Sequence, residues 1–322
     1  MKVISGLLLA LFVAASILLQ QGESTFDFIG WLLAGLPELE TAQHFVLFEI
    51  RLPPVVAGLF AGAAFGLSGA IFQNQFRNPL ASPDVLGVTS GASAAVLAVS
   101  VFNLDVPVTA AAIVGALTTA MLVFLLGWKA GDEMMKLVVT GLALGYLATG
   151  LTSYLLTRSD SHEVAGSYAW LVGSTRMASL SSIGWLIAAF IGAAIFVVIA
   201  SKPTKAFELG MAKAETLGFT INRWTLSLVS VAVILAAFAT AAVGPVAFVA
   251  LLAGPIAQKI GRGRSNQFAL SSTIGACLVI FSDLAIAILF PSQHLPTGLI
   301  TGLLGAVFLV ALVFRRRSTA DV

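Results

Sequence analysis

Long apolar stretches alternate with short polar ones from one end of the chain to the other. A helix of about 17–25 mostly apolar residues is long enough to cross the hydrocarbon of a bilayer. By this criterion the sequence predicts ten transmembrane helices, near residues 3–20, 52–73, 85–103, 107–128, 137–157, 180–200, 224–243, 244–260, 268–290 and 295–314. The eighth is short and contains Pro245 and Pro255, so we expect a broken or tilted helix packed against protein.

The composition indicates a membrane protein built from helices. Of the 322 residues, 58% are hydrophobic and 10% are charged, and the mean hydropathy is +1.00, whereas soluble domains have about 25% charged residues. No polar stretch of domain size is left over, so we expect residues 1–322 to form a single all-α polytopic membrane domain. The first span, which follows Lys2, also has features of a signal peptide, but nine further spans favour a retained helix.

The positions of the positive charges predict the orientation of the chain in the membrane. If the amino terminus is cytoplasmic, 14 of the 17 Lys and Arg residues lie in cytoplasmic segments, and only Arg51, Arg158 and Arg176 lie outside. Because basic segments tend to stay cytoplasmic, both termini are expected on that side. The net charge of +2 thus reflects membrane orientation, and no basic patch with interleaved aromatic residues predicts nucleic-acid binding.

The sequence gives no support for chemistry carried out by this chain. His44, His162 and His294 lie in three different external segments, without Cys or carboxylate residues at the spacing of metal ligands. No Ser, His and Asp grouping predicts a catalytic nucleophile, and no glycine-rich phosphate loop is present. A membrane-embedded enzyme is therefore disfavoured, and the energy for any transport must come from a partner subunit or an ion gradient.

Glycines at a spacing of four residues mark one face of the second predicted span. Gly58, Gly62 and Gly66 form this ridge. Small residues let helix backbones approach closely in lipid, where van der Waals contact drives helix association. Such a ridge is as common in any compact helical bundle as in a transporter, so it predicts close packing and no particular function.

A polar segment interrupts the apolar pattern between the second and third predicted spans. We call this segment, residues 73–84, the polar knot. Pro79 and Pro83 prevent one helix from continuing smoothly into the next, so a cytoplasmic turn of fixed shape is expected. On these residues alone the turn is either an inner gate, at the cytoplasmic mouth of a pathway, or a plain hairpin connector.

Residues 51–92, RLPPVVAGLFAGAAFGLSGAIFQNQFRNPLASPDVLGVTSGA, resemble the signature of the FecCD family of ABC importer permeases, which take up iron chelates, haem and cobalamin. Further matches follow in order: VTGLALG at 139–145, WLVGS at 170–174, AETLGF at 214–219, GPVAFVALLAGP at 244–255, GACLVIFSD at 275–283 and LPTGLITGLLGAVF at 295–308. The resemblance covers nearly the whole chain. It implies the type II ABC importer permease architecture, whose ten-span subunit agrees with the number of predicted spans.

The resemblance also implies a set of partners. The family's permeases work as pairs, as homodimers or paralogous heterodimers, in the bacterial cytoplasmic (inner) membrane. Two ATPase subunits bind below, and a periplasmic or lipoprotein substrate-binding protein docks above. ATP and Mg are used by the ATPase partner, so no cofactor is expected on this chain.

The implied function is import of an iron–siderophore complex by alternating access, driven by the different affinities of ATP for two states. Haem or cobalamin is the alternative cargo within the family. An ion-coupled secondary transporter is the alternative from another class, because it would explain the spans without an ATPase.

Particular residues take on expected roles from the resemblance. Arg51 corresponds to the arginine that docks the binding protein, although a side chain that snorkels to the membrane interface is the plainer interpretation. The inner gate is expected at Asn78, Pro79, Leu80, Thr140 and Gly141. The cytoplasmic stretch 202–223, here named the coupling segment, contains good helix formers followed by a glycine stop. By resemblance it contacts the ATPase through Ala212, Ala214, Glu215, Leu217 and Gly218.

Asp283 lies inside the ninth predicted span, where an ionisable residue indicates a function by default. Because the family carries Asp here within a structural motif, we favour a buried, hydrogen-bonded tie between helices over a proton relay. The chain also departs from many relatives: Gly254, Pro255, Ile256, Ala257 and Gln258 replace a stretch with Pro-His and a following Arg, Ala287 replaces an Arg, and His294 replaces a Glu. The loss of one docking contact makes a heterodimer attractive.

Overall fold

The computed structural model describes residues 6, 45–127, 133–158, 169–208, 211–261, 268–290, 293 and 295–318. Within these residues the chain forms helices and no strand. The α-helices are α1 (Leu52–Gln75), α2 (Val88–Val101), α3 (Val108–Gly127), α4 (Glu133–Leu156), α5 (Leu180–Ile199), α6 (Ser201–Glu208), α7 (Met211–Thr216), α8 (Ile221–Val243), α9 (Val249–Ile260), α10 (Phe268–Leu289) and α11 (Thr297–Ser318). A π-helical turn at Val46–Arg51 and short 3₁₀ helices at Pro83–Leu86 and Thr175–Met177 connect them.

The observed helices confirm an all-α polytopic membrane fold. Six helices in the described part of the chain are long and apolar enough to cross a membrane: α1 with its preceding turn, α3, α4, α5, α8 and α10. The apolar helices α2 and α9 and the 297–310 part of α11 are shorter. Together these match nine of the ten predicted spans, while the first predicted span lies outside the described residues except for Gly6.

Helix α1 lies at the centre of the bundle. It packs against α8, α9 and α10, while α2, α3 and α4 pack on one another and α3 also contacts α8. The Ser68 hydroxyl donates a 2.7 Å hydrogen bond to the carbonyl oxygen of Ala232, which ties α1 to the middle of α8. Much of the core consists of alanine and glycine, and such small residues allow several helices to surround one at close range.

The eighth predicted span is helical over only part of its length. Residues 244–248 are not helical, and α9 begins at Val249. Its 12 residues rise about 18 Å, which is less than the hydrocarbon thickness of about 30 Å. The predicted bounds of 244–260 are therefore too long for the helix, and α9 itself is continuous through Pro255. Gly244 and Phe248, with φ of 77° and 66°, bound the irregular stretch.

The coupling segment contains two short helices. The predicted helix appears as α7, and Gly218, with φ of 86°, follows its end as expected for a glycine stop. Helix α6 precedes it and was not predicted. A signal for α6 was present, because Pro203 falls in its first turn, where proline is tolerated in a helix.

Candidate functional site

The polar knot is a turn held by its own hydrogen bonds. Helix α1 ends at Gln75, and Arg77 then takes a left-handed backbone conformation with φ of 47°. The amide N–H of Asn78 donates to the carbonyl oxygen of Gln73 at 3.2 Å, and the Asn78 side-chain oxygen accepts from the N–H of Leu80 at 3.0 Å. The shape of the turn is therefore fixed locally, while residues 77–80 remain exposed.

The predicted inner-gate residues lie at the same end of the bundle. Asn78 and Leu80 line a cavity of about 390 Å³, together with Val85 and with Met135 and Val138 from α4. The cavity therefore lies between the polar knot, the 3₁₀ helix Pro83–Leu86 and α4.

The other gate candidates on α4 lie one turn further along that helix. Gly141 packs directly against the backbone of Val85, with no room for a side chain between them. Thr140 is half-buried, and its hydroxyl oxygen would lie 3.2 Å from a methyl group added at Gly127. Pro79 is exposed and is not one of the residues that line the cavity. The gate candidates are thus neighbours in space, but they do not all face one cavity.

The side chain of Gln73 connects the polar knot to helix α9, which contains Pro255. Its amide nitrogen donates hydrogen bonds to the carbonyl oxygens of Leu251, at 3.0 Å, and Ala250, at 3.3 Å. In a helix without proline the Leu251 carbonyl would accept the N–H of residue 255, but Pro255 has none. Gln73 therefore supplies the donor that Pro255 lacks. Gly254 makes this possible, because the Gln73 side-chain oxygen occupies the space of a Cβ there.

The glycine ridge of α1 faces α10. A methyl group added at Gly62 would lie 2.5 Å from the carbonyl oxygen of Gly275 and 2.8 Å from Cα of Ala276. Gly66 meets the backbone of Ser271 in the same way. The ridge therefore brings the backbones of α1 and α10 into direct contact, which is the close packing that the spacing predicts.

Asp283 accepts two hydrogen bonds from threonines on other elements. The Thr297 hydroxyl, at the start of α11, donates to Oδ1 at 2.6 Å. The Thr175 hydroxyl, in the 3₁₀ helix Thr175–Met177, donates to Oδ2 at 2.9 Å. The Thr175 backbone N–H also donates to the Thr297 hydroxyl oxygen at 3.3 Å. A methyl group at Gly58 would lie 3.4 Å from Oδ2. The carboxylate thus joins α10, α11 and the 3₁₀ helix beside α1.

The residues of the coupling segment divide into buried and exposed ones. Ala214 is fully buried in a small core with Ala206 and Phe207, so it faces the interior of the segment and is not available as a surface contact. Glu215 is exposed, and Leu217 is 59% exposed although it is apolar. Gly218 is exposed and ends the turn, and the side chain of Ala212 lies outside the described residues.

Arg51 lies at the opposite end of α1 from the polar knot. It is half-buried and immediately precedes the helix, whose first turn contains Pro53 and Pro54. Of the other positions where the chain departs from many relatives, Ala287 lies in α10 and His294 lies outside the described residues. No group of three or more His, Cys, Asp or Glu that could hold a metal ion occurs among the described residues.

Two contacts of this region were missed at the level of sequence. The bond from Gln73 to Leu251 joins residues 178 positions apart, and the bond from Arg77 to the Phe207 carbonyl oxygen joins residues 130 apart. Pro255 inside an apolar helix was a usable signal for the first, because its missing N–H requires another donor. The Arg77 contact left no comparable local pattern.

Comparison with known proteins places the chain among membrane permeases. The model of the FecCD transport family matches residues 7–315. The ferric enterobactin transport system permease protein FepG of Escherichia coli (strain K12) is 34% identical over 308 residues, covering 88% of this chain and 91% of that protein. The achromobactin transport system permease protein CbrC of Dickeya dadantii (strain 3937) is 35% identical over 283 residues, covering 84% and 79%.

A solved structure has the same fold. It is described as an inward-facing conformation of a metal-chelate type ABC transporter, and it superposes with a TM-score of 0.84 over 98% of both chains at 24% sequence identity. The helical arrangement described above is therefore shared over practically the full length of the two chains.

Proposed function

Because the chain belongs to the FecCD transport family, we propose that it is the membrane permease subunit of an ATP-driven importer for an iron–siderophore complex. The observation that carries the proposal is the family match over residues 7–315, combined with 34% identity to a permease protein for ferric enterobactin. The chain is a multi-pass ABC importer permease; its cargo, partners and membrane are the proposed part.

The proposed pathway runs between this chain and a second permease subunit. Close packing of Gly62 and Gly66 on α10 holds α1 in place within the subunit. The polar knot then forms the inner gate at the cytoplasmic end, where Asn78 and Leu80 border the cavity with α4. A gate built from a short self-bonded turn can shift as one unit when the helices around it move.

The coupling segment supplies the proposed contact with an ATPase subunit. Leu217 exposes 59% of its surface and Glu215 is also exposed, so both side chains are accessible to a protein partner. ATP binding would move the two ATPase subunits together, and the coupling segment would transmit this movement to the permease. The energy that shifts the conformation comes from the different affinities of ATP for the two states.

The external side of the chain is the proposed docking surface for a binding protein. Arg51 precedes α1 at the end that the distribution of Lys and Arg places outside, and in this proposal its guanidinium group pairs with a carboxylate of that partner. In the same orientation, both termini lie on the cytoplasmic side of the proposed bacterial inner membrane.

The two alternatives differ in ways that can be measured. Haem or cobalamin would use the same permease architecture, and the name of the ferric enterobactin relative favours an iron chelate. A secondary transporter would need a titratable group that carries protons or ions. Asp283 is the intramembrane candidate, but both of its oxygens accept hydrogen bonds from threonines, which favours a structural role.

Uptake in cells tests the cargo. A strain lacking this gene is given radiolabelled ferric siderophores, haem or cobalamin, with the gene restored on a plasmid as the control. We expect accumulation of an iron–siderophore complex to be lost in the deletion strain and restored by the plasmid. Loss confined to haem or cobalamin would replace the proposed cargo, and unchanged uptake of all three classes would contradict the importer.

A further inference from the structure

Helices α1, α2 and α7 end in the same kind of turn. The second residue after each helix has a left-handed backbone, with φ of 47° at Arg77, 47° at Asn103 and 86° at Gly218. The next amide N–H donates to the carbonyl five residues earlier, from Asn78 to Gln73, from Leu104 to Val99 and from Phe219 to Ala214. This pattern is the Schellman ending of a helix.

Arg77 is the unusual residue among these three endings. Gly adopts the left-handed conformation because it has no Cβ, and Asn tolerates it because its short polar side chain can bond locally. A long side chain such as Arg is disfavoured there by steric contact of its Cβ with the backbone. A Gly at residue 77 would fit the turn better, so the turn itself does not account for an Arg at this position.

The Arg77 side chain reaches the coupling segment. Its Nη2 donates a 3.1 Å hydrogen bond to the carbonyl oxygen of Phe207, in the last turn of α6. The last carbonyls of a helix have no partner within the helix, and the helix dipole makes this end negative. A guanidinium group is thus well matched to the site by both hydrogen bonding and charge.

Phe207 belongs to the small core of the coupling segment. Its side chain packs with Ala206 and with Ala214 of α7, and Phe219 and Trp224 lie against this core. Because packed side chains move together and do not compress, a displacement of α7 moves the Phe207 carbonyl. Arg77 is therefore hydrogen-bonded to the packed part of the coupling segment.

Arg77 also belongs to the turn that carries the candidate inner gate. It directly precedes Asn78, whose side chain bonds the N–H of Leu80. On the basis of the proposed function, we propose that Arg77 is a positioning residue that couples movement of the coupling segment to the inner gate at Asn78–Leu80. One side chain then connects the ATPase-facing part of the chain to the pathway.

The contact can be tested in the chain alone, embedded in lipid nanodiscs. Spin labels are attached at Leu80→Cys and Lys213→Cys in a Cys277→Ser background, and the distance distribution between them is measured. Arg77→Gly removes the guanidinium group and suits the left-handed turn, so the chain remains folded. We expect the width of the distribution to at least double in Arg77→Gly and to be largely retained in Arg77→Lys.

Asn103→Gly is the matched control, because it makes the same backbone change at the end of α2 and should leave the width unchanged. A wild-type width in Arg77→Gly would overturn the inference, as would equal broadening in Asn103→Gly.

The coupling role is tested in the reconstituted complex with its ATPase and binding-protein partners. Arg77→Gly is expected to lower the cargo imported per ATP hydrolysed about tenfold, whereas Asn103→Gly keeps the wild-type ratio. A wild-type ratio in Arg77→Gly would show that the inference is wrong while the importer stands. Failure of the wild-type complex to import any cargo with ATP would instead contradict the proposed function, and with it the coupling role.

Discussion

The side-chain amide of Gln73 donates a 3.0 Å hydrogen bond to the carbonyl oxygen of Leu251. This carbonyl would lack a partner within α9, because Pro255 has no N–H to offer it. One polar side chain on the central helix therefore supplies the hydrogen bond that Pro255 removes from α9. The relationship explains both the burial of a glutamine in α1 and the absence of a side chain at Gly254.

Replacement of Gln73 should destabilise the chain. In Gln73→Leu the part-buried Leu251 carbonyl loses its donor, at a cost of about 1–2 kcal/mol. The lower part of the usual range is expected because the Gln73 Oε1, which has no hydrogen-bond partner among the described residues, is removed as well. The measurement is the midpoint of thermal unfolding in detergent.

Gln75→Leu is the control for this prediction, since the Gln75 amide nitrogen bonds only the neighbouring Asn74 side chain in the described structure. Equal midpoints for the two variants would show that Gln73 does not support α9.

The contact between α1 and α10 predicts a strong effect of a very small substitution. Gly62→Ala places a methyl group 2.5 Å from the Gly275 carbonyl oxygen, so the two helices must separate. We expect a loss of about 1–3 kcal/mol in unfolding free energy. In Gly192→Ala the methyl group meets no atom within 4 Å, and better helix propensity should stabilise the chain by up to about 1 kcal/mol. Similar unfolding curves for both variants would argue against the close contact.

Substitutions at Asp283 distinguish a structural tie between helices from a proton relay. Asp283→Asn keeps one acceptor oxygen and cannot titrate, whereas Asp283→Leu leaves the hydroxyls of Thr175 and Thr297 without their acceptor. We expect Asn to retain most of the transport activity and Leu to cost about 1–3 kcal/mol of stability. Uptake and thermal unfolding are measured together. Loss of uptake in a normally stable Asp283→Asn protein would favour the relay.

A substitution in the coupling segment should weaken binding of the ATPase subunit without unfolding the chain. Leu217 is 59% exposed, so Leu217→Ala should leave the unfolding midpoint unchanged while the affinity for the ATPase subunit falls about tenfold. Leu125→Ala is the control, because Leu125 is 67% exposed on α3 within a predicted span. Ala214→Leu should instead destabilise the chain, because Ala214 is fully buried. Equal binding by Leu217→Ala and the wild type would remove Leu217 from the contact.

The sequence predicts the helices well because their signal is local. Apolar length gives the bounds of α1, α3, α5 and α10 to within about two residues, and Gly218 gives the end of α7. Pro245 lies in the non-helical stretch 244–248, but the sequence does not predict that the helix starts only at Val249 or that it continues through Pro255. Each of these features depends on residues close together in the chain.

The contacts between elements are not predicted by the sequence, because they join residues far apart in the chain. The donors to Asp283 come from Thr175 and Thr297, which lie 108 and 14 positions away, and many other hydroxyl groups would serve equally well by type. Apolar periodicity also says little about helices that are apolar on every side, because it does not distinguish the face toward lipid from the face toward protein. Which faces meet is decided by packing of the whole bundle.

The central claim is that this chain imports its cargo with energy from a partner ATPase. The most direct measurement is uptake of a radiolabelled iron–siderophore complex by vesicles that contain the chain, its ATPase subunits and its binding protein, with no ion gradient across the membrane. Uptake that requires ATP, persists with ionophores and stops in an ATPase-inactive complex is the predicted result. Uptake by the chain without ATP, driven by an imposed proton or sodium gradient, would contradict the account.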